Sequence, residues 1–264
     1  MSKISPLAII EDGATIGKDV EIGPFCFISS GANIGDGTKI EQHSSVCGNT
    51  TIGKNNHIFS HAVIGSIPQD LKYDGEDVEL IIGDNNKIRE FTLFNPGTKG
   101  GGGKTIIGSH NLFMGYVHIG HDVIVGNHCI LSNAATLAGH VSVGNYTVIG
   151  GFTPVHQFVR IGEGCMIGGA SAISQDIPPF CLAEGNRALV RGLNAVGIRR
   201  RFDKEVIKEL KDAYRILFRS QENIKDSAAT LLESSECIQV QTMCQFILET
   251  KRGIPYERVK NYEL

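Results

Sequence analysis

The chain has 264 residues, a formal net charge of −3, 32 glycines, 8 prolines and no tryptophan. The slight acidity argues against a nucleic-acid binder, and glycine without a Gly-x-y period excludes collagen. No stretch approaches the roughly 18–20 apolar residues of a membrane span. The N-terminus, "MSKISPLAIIEDG", lacks the apolar length of a secretory signal. Cys26, Cys47, Cys129, Cys165, Cys181, Cys237 and Cys244 form no CxxC pair, so the reading is a soluble cytoplasmic protein with reduced thiols.

From the start of the chain, Ile10, Ile16, Ile22, Ile28, Ile34, Ile40, Val46, Ile52, Ile58 and Ile64 recur every six residues. The register resumes at Ile82, Ile88 and Phe94. It resumes again from Ile107 through Phe113, Ile119, Val125, Leu131, Leu137, Val143, Ile149, Val155, Ile161, Ile167 and Ile173. Six matches neither the helical period of 3.6 nor the strand period of 2. It is the hexapeptide period of a parallel β-helix, in which three hexads close one triangular coil. Coils stack at about 4.8 Å, the spacing of paired strands. Proteins resembling this repeat coil left-handedly, against the usual crossover rule. A glycine often follows the aliphatic residue, as in Ile16-Gly17, Ile34-Gly35 and Val125-Gly126. That position needs a small residue, for close packing or for an unusual corner angle.

Two segments break the register: Ser66–Glu79 ("SIPQDLKYDGEDVE") and Gly97–Thr105 ("GTKGGGGKT"). A solenoid accepts insertions at its corners, so both are expected to project as loops. After Ile173 the prolines of "QDIPPF" stop the strands. From Asp203, a fitting N-cap, "DKEVIKELKDAYRILFRS" takes a helical apolar spacing. Further helices fit Ile224–Leu232 and Ile238–Thr250. The predicted architecture is mainly β: a parallel β-helix over residues 1–190, capped by a small C-terminal α-helical domain over 191–264.

Residues eighteen apart share a prism face, so Ile119, Leu137 and Val155 stack. Their hexads carry His121, His140 and His156, and His118 precedes Ile119. Four histidines on one stripe suit either a zinc site or general-base catalysis near an ordinary imidazole pKa of about 6.5. Asp122, in "HIGHD", would fix an imidazole tautomer. Adjacent side chains normally oppose each other, so it reaches His121 only if the corner disturbs that alternation. Three readings of the repeat and its stripe stay open at this point. They are a zinc-dependent carbonic-anhydrase-like enzyme, an acyl-CoA-dependent transferase of the same repeat class, and a non-catalytic scaffold.

"QDLKY" (Gln69 to Tyr73), "HIGHD", "SNAATLAGHVSV" (Ser132 to Val143), "VHQF" (Val155 to Phe158), "QDIPP" and "RALVRGLNAVGIRRRF" (Arg187 to Phe202) resemble the UDP-N-acetylglucosamine O-acyltransferase family over essentially the whole chain. The resemblance implies transfer of an (R)-3-hydroxyacyl chain from acyl carrier protein to the 3-position of UDP-N-acetylglucosamine, the first step of lipid A biosynthesis. It implies no metal or other cofactor, and a homotrimer with clefts between prisms. It implies His121 as general base, Asp122 as its partner and the Gly139 N–H as oxyanion donor. Gln69, Asp70 and Lys72 match the loop contacting sugar nucleotide and acyl chain. His118, His140, His156 and Gln157 match the groove lining. Asn194, Arg200 and Arg201 match residues near the nucleotide and the phosphopantetheine end. Arg199-Arg200-Arg201 forms a basic run suited to steering an acidic carrier protein. Gly168 and Gly169 match the place where acyl length is limited.

Two positions depart from the family. Asn95 stands where histidine is usual, and Val196 where glutamate is frequent. A neutral amide both donates and accepts, which suggests altered recognition at the reacting sugar position, including a 3-amino acceptor.

Overall fold

A computed structural model of the chain describes residues 2–257. The hexads become strands of mostly two residues, such as His57–Ile58 and His118–Ile119, each paired in parallel with strands one coil away. The strands gather into three sheets, one of eleven and two of eight strands, the flat faces of a left-handed parallel β-helix. Ile119 pairs with Leu137 and Leu137 with Val155, as the six-residue register predicts. From Ile22 to Ile173 each inward aliphatic or aromatic residue of the register is at most 3 % exposed. Each such burial is worth about 1.5–3 kcal/mol relative to exposure, and the residue two positions earlier, as at Val20, Ala32, Val117, Val123 and Ala135, is buried with it.

The glycines after the aliphatic positions are there for packing. A Cβ on Gly35 would stand 2.6 Å from the Gly53 carbonyl carbon, and one on Gly144 2.5 Å from the Glu163 nitrogen. Left-handed backbone occurs elsewhere in the coil, at corner residues that carry side chains, among them Asn55, His110, Asp122, His140 and Phe158. The first of the two explanations from sequence therefore holds.

Both insertions leave the prism axis unbroken. Ile64 pairs with Phe94 across the first, and Phe94 with Ile119 across the second. Inside one corner, buried Asn56, Asn86 and Asn111 form a ladder through this region. Asn86 N donates to Asn56 Oδ1 (2.9 Å), Asn111 N to Asn86 Oδ1 (2.9 Å) and Cys129 N to Asn111 Oδ1 (2.6 Å). Their Nδ2 groups donate to the carbonyls of Gly83, Gly108 and Gly126. A buried amide is stable when every group is satisfied, and this one keeps coils aligned where the chain makes its detours.

The solenoid ends by reversing direction. Cys181–Glu184 continues the eleven-stranded sheet in parallel, and Leu189–Leu193 closes it antiparallel. The boundary expected at residue 190 therefore cuts this closing strand, and the helices begin only after Asn194. They are α1 (Ala195–Arg201), α2 (Lys204–Arg219), α3 (Ile224–Ser234) and α4 (Ile238–Glu249). Asp203 caps α2 as expected, accepting from Val206 N at 2.9 Å. The seven-residue α1 was not foreseen, because its apolar face is a single buried residue, Ile198. Leu210, Ala213, Leu217, Val240, Met243 and Ile247 form the buried seam of the helical cap. Beyond α4 the chain returns to the last coil, where Thr250 Oγ1 donates to Asp176 Oδ2 and Val190 N to the Pro255 carbonyl. Met1 and residues 258–264, included in the expected domains, lie outside the described residues. Among the described residues no helix is long and apolar enough to cross a membrane. All seven cysteines are free.

Candidate active site

Asp122 stands at a corner with φ +58°. That left-handed turn breaks the usual alternation and brings its carboxylate to 2.8 Å from His121 Nδ1. The open question about "HIGHD" is thereby answered: the two side chains meet. The carboxylate is 1 % exposed. It also accepts from Thr98 N at Oδ1 (2.9 Å) and from Thr98 Oγ1 at Oδ2 (2.6 Å). Three donors on one buried carboxylate offset its desolvation. His140 Nε2 lies 3.9 Å from the same Oδ2, and its ring stands edge-on to His121 at 5.0 Å.

Gly139 lies against the far side of the His121 ring. A Cβ there would stand 2.5 Å from both Cε1 and Nε2 of His121. Gly139 is buried, and its N–H makes no hydrogen bond among the described residues. At the equivalent turn elsewhere, a side chain from the neighbouring coil accepts this proton: Asp36 for Lys18 N, Asn127 for Ser109 N, Asn145 for Asn127 N. Unpartnered buried N–H groups are rare, so a free one beside an imidazole marks a place where an acceptor from outside can sit.

His140 and Thr98, which contact the His121–Asp122 pair, line a cleft of about 850 Å³ walled by both projecting loops (Asp70, Lys72, Glu76, Lys99) and by Phe158. The loops touch each other: Lys99 N donates to Glu76 Oε1 (3.3 Å), and Glu79 N to the Gly103 carbonyl (2.8 Å). Within the first loop, Lys72 N donates to Asp70 Oδ1 at 3.0 Å, fixing a tight turn. Gln69 is exposed on that loop and does not line the cleft.

The four-histidine stripe resolves into different roles. His121 and His140 converge on Asp122. His156 is exposed, and its Nδ1 faces its neighbour's carbonyl, Gln157 O, at 3.1 Å. Gln157 is exposed on the coil above. His118 pairs in register with Leu93 and Thr136, and its Nδ1 is buried with no hydrogen-bond partner among the described residues. Burial holds the His118 imidazole below the ordinary value of 6.5. Burial also lowers His140, aided by His121 and opposed by Asp122 and Asp70. The unfolded chain therefore takes up these protons first as pH falls below about 6.5. Stability is fully present above that pH and declines as pH drops toward the depressed folded values. His118→Asn should shrink the loss of melting temperature between pH 7.5 and 5.5, as measured by thermal denaturation at both pH values.

Other expected residues turn out to have partners within the fold. Asn95 is 1 % exposed, and its Nδ2 donates to the carbonyls of Ser66 and Ile67, both at 3.0 Å. It ties down the root of the first loop. Asn194 caps α1 through Oδ1 to Gly197 N (3.0 Å) and donates from Nδ2 to the Gly164 carbonyl (2.9 Å). Arg201 lies over the Tyr146 ring at 4.0 Å and 3.6 Å from Glu163, so it belongs to the prism contact. Arg199 and Arg200 are exposed. Arg199 joins Lys204, Lys208, Lys211 and Arg215 around a basic groove of about 660 Å³. Val196 is exposed on α1. A Cβ on Gly168 would meet the Glu184 Cβ at 2.9 Å, whereas one on Gly169 would meet nothing closer than 3.4 Å. Sequence reasoning missed Thr98, Glu76, Lys99 and Phe158. Phe158 closes the "VHQF" motif but was given no role there, and the other three lie in the non-repeating loops.

Two family models match the chain: one described as UDP N-acetylglucosamine O-acyltransferase, domain 2, over residues 176–255, and one of bacterial transferase hexapeptides (six repeats) over 104–139. The acyl-[acyl-carrier-protein]–UDP-N-acetylglucosamine O-acyltransferase of Sulfurimonas denitrificans is 79 % identical, covering 98 % of this chain and 99 % of that one. Among solved structures, the UDP-N-acetylglucosamine acyltransferase from Campylobacter jejuni superposes with a TM-score of 0.94 at 53 % identity, covering 97 % of this chain and 100 % of that one. The Francisella novicida UDP-N-acetylglucosamine acyltransferase gives 0.92 at 35 % identity, covering 98 % and 95 %. With such identity along almost its whole length, the chain belongs to the UDP-N-acetylglucosamine O-acyltransferase family.

Proposed function

We propose that this acyltransferase moves an (R)-3-hydroxyacyl chain from acyl carrier protein to the 3-hydroxyl of UDP-N-acetylglucosamine. The observation that carries the reading is the His121–Asp122 pair beside the Gly139 N–H, unpartnered among the described residues. Asp122 accepts from His121 Nδ1, which leaves Nε2 as the basic nitrogen. Nε2 takes the proton of the sugar hydroxyl as its oxygen attacks the thioester carbonyl. The Gly139 N–H donates to the oxyanion that forms. Collapse releases the phosphopantetheine thiolate, which recovers the proton from His121, and Asp122 stabilises the imidazolium in between. Lys72 and Lys99 at the cleft suit the nucleotide phosphates.

In this reading the reaction runs on the chain's own groups, the His121 and Asp122 side chains and the Gly139 N–H, without metal. His121, Asp122 and His140 place three donor atoms within 4.8 Å of one another. Two ligands of one tetrahedral zinc ion, each about 2.0–2.1 Å from it, stand about 3.3 Å apart. The 2.8 Å separation of Nδ1 and Oδ2 is a hydrogen bond, and the other carboxylate oxygen already accepts from Thr98 N. Activity should survive exhaustive chelation. An acidic carrier protein suits the five cationic side chains of the basic groove. A homotrimer suits the outward Ile106 and Ile124, adjacent in one sheet and 38 % and 50 % exposed. A cytoplasmic setting suits seven free thiols. The geometry of Asn95 speaks for the hydroxyl acceptor, since its amide N–H groups serve the first loop.

The test is transfer from acyl carrier proteins of graded chain length to UDP-N-acetylglucosamine, by wild type and Gly169→Met. A Cβ on Gly169 meets the Gly151 backbone at ordinary contact distance, 3.4 Å, so a side chain can start there without displacing backbone, and the preferred chain should shorten. Absence of transfer by wild type, or a better rate with acyl-CoA, would overturn the proposal.

A further inference from the structure

We propose that Thr98 is a positioning residue for the general base, acting through Asp122; this rests on the function proposed above. Thr98 is the sole residue that donates twice to the Asp122 carboxylate among the described residues, once from its backbone N and once from Oγ1. The two bonds end on different oxygens, so together they fix both the position and the rotation of the carboxylate plane. Oδ2 then faces His121 Nδ1 along one direction only. Without Oγ1 the carboxylate keeps a hinge at Oδ1 and can turn away from the imidazole.

Thr98 is itself held from two sides. Its carbonyl accepts from Gly101 N (2.9 Å) and Gly103 N (2.8 Å), closing the short 3-10 turn Lys99–Gly101. In that turn Gly101 lies directly against the Asp122 carboxylate, leaving no room for a Cβ. The same turn forms part of the cleft wall and receives Glu76 from the first loop. The wall that faces substrate is thus the clamp that orients the base. Thr98 touches no reacting atom, and its effect is transmitted entirely through Asp122.

The experiment uses the full-length chain with Thr98→Val, which keeps shape and backbone N–H, and Thr98→Ser, which keeps the hydroxyl. Thr98→Val should lower kcat about tenfold or more with KM for both substrates within about threefold, the loss expected for one hydrogen bond to a charged group. Thr98→Ser should stay within about threefold of wild type. In an Asp122→Asn background, Thr98→Val should change kcat less than about twofold. Imidazole NMR of ¹⁵N-histidine protein should show the His121 Nδ1–H signal in wild type and Thr98→Ser, and its loss or marked shift in Thr98→Val. Wild-type kcat in Thr98→Val, an undiminished effect in the Asp122→Asn background, or an unchanged His121 signal would each overturn the proposal. If wild type shows no transfer, the proposed function fails, and the NMR comparison alone then supports or overturns the role of Thr98.

Discussion

Replacing His121 with alanine should lower the rate of acyl transfer by about 10²–10⁴-fold, the range supplied by a positioned general base. The fold should survive, because the imidazole is 17 % exposed and its one hydrogen-bond partner, Asp122, keeps two donors from Thr98. The loss should fall on kcat more than on KM, since the imidazole acts on a proton in flight. His140→Ala makes the useful comparison. His140 stands 3.9 Å from the same carboxylate, beyond hydrogen-bonding distance, and stacks on Phe158 at 4.3 Å. Its loss should disturb the cleft wall and raise KM. Single-turnover assays with acyl carrier protein separate the two. A His121→Ala protein within tenfold of wild type would remove His121 from the role of base.

Gly139→Ala should cost about 10²–10³-fold in kcat, comparable with losing an oxyanion donor. The added methyl would stand 2.5 Å from His121 Nε2. The ring must swing away, which breaks its 2.8 Å bond to Asp122 and displaces the basic nitrogen from the attacking hydroxyl. Its melting temperature should change little, because the obstacle is a side chain that can move. Gly35→Ala should behave in the opposite way. There the methyl meets backbone of the next coil at 2.6 Å, which cannot yield without separating coils, so stability falls while each folded molecule keeps its site. Thermal denaturation and steady-state kinetics on the two variants should show this crossing pattern. Equal losses of stability would refute the assignment of Gly139 to the chemistry.

The prism was legible because one apolar residue in six leaves a period that no other fold produces, and the same period placed Ile119, Leu137 and Val155 on one face. His121, Asp122 and Gly139 were found through motif resemblance, and the register alone put them near one another. What the period could not convey is side-chain direction. His156 shares the stripe yet faces Gln157 O, and Asp122 reaches His121 only because its corner turns left-handed. Residues outside the repeat were harder still. Thr98 sits in a glycine-rich loop with no periodicity, so nothing in its neighbours' identities points at Asp122, 24 residues away. Asn95 and Asn194 illustrate the converse. Both were expected at substrate, and both are held by buried backbone groups that the sequence does not display.

The strict pairing of each strand with its equivalent one coil away imposes a simple arithmetic on insertions and deletions. Excising eighteen residues from the lower shaft, for instance between Ile22 and Ile40, removes one full circuit and returns every later residue to its own face. Excising six instead turns all that follows by a third of a circuit relative to what precedes. Between Thr98 and Asp122 such a cut would carry the carboxylate to a different sheet from its two donors, although every inward residue would still find an aliphatic neighbour. The core is indifferent to which face is which; only the site counts the turns. Length variation in such a chain is therefore free in the shaft in units of three hexads and forbidden in any unit across the coils from Thr98 to Gly139.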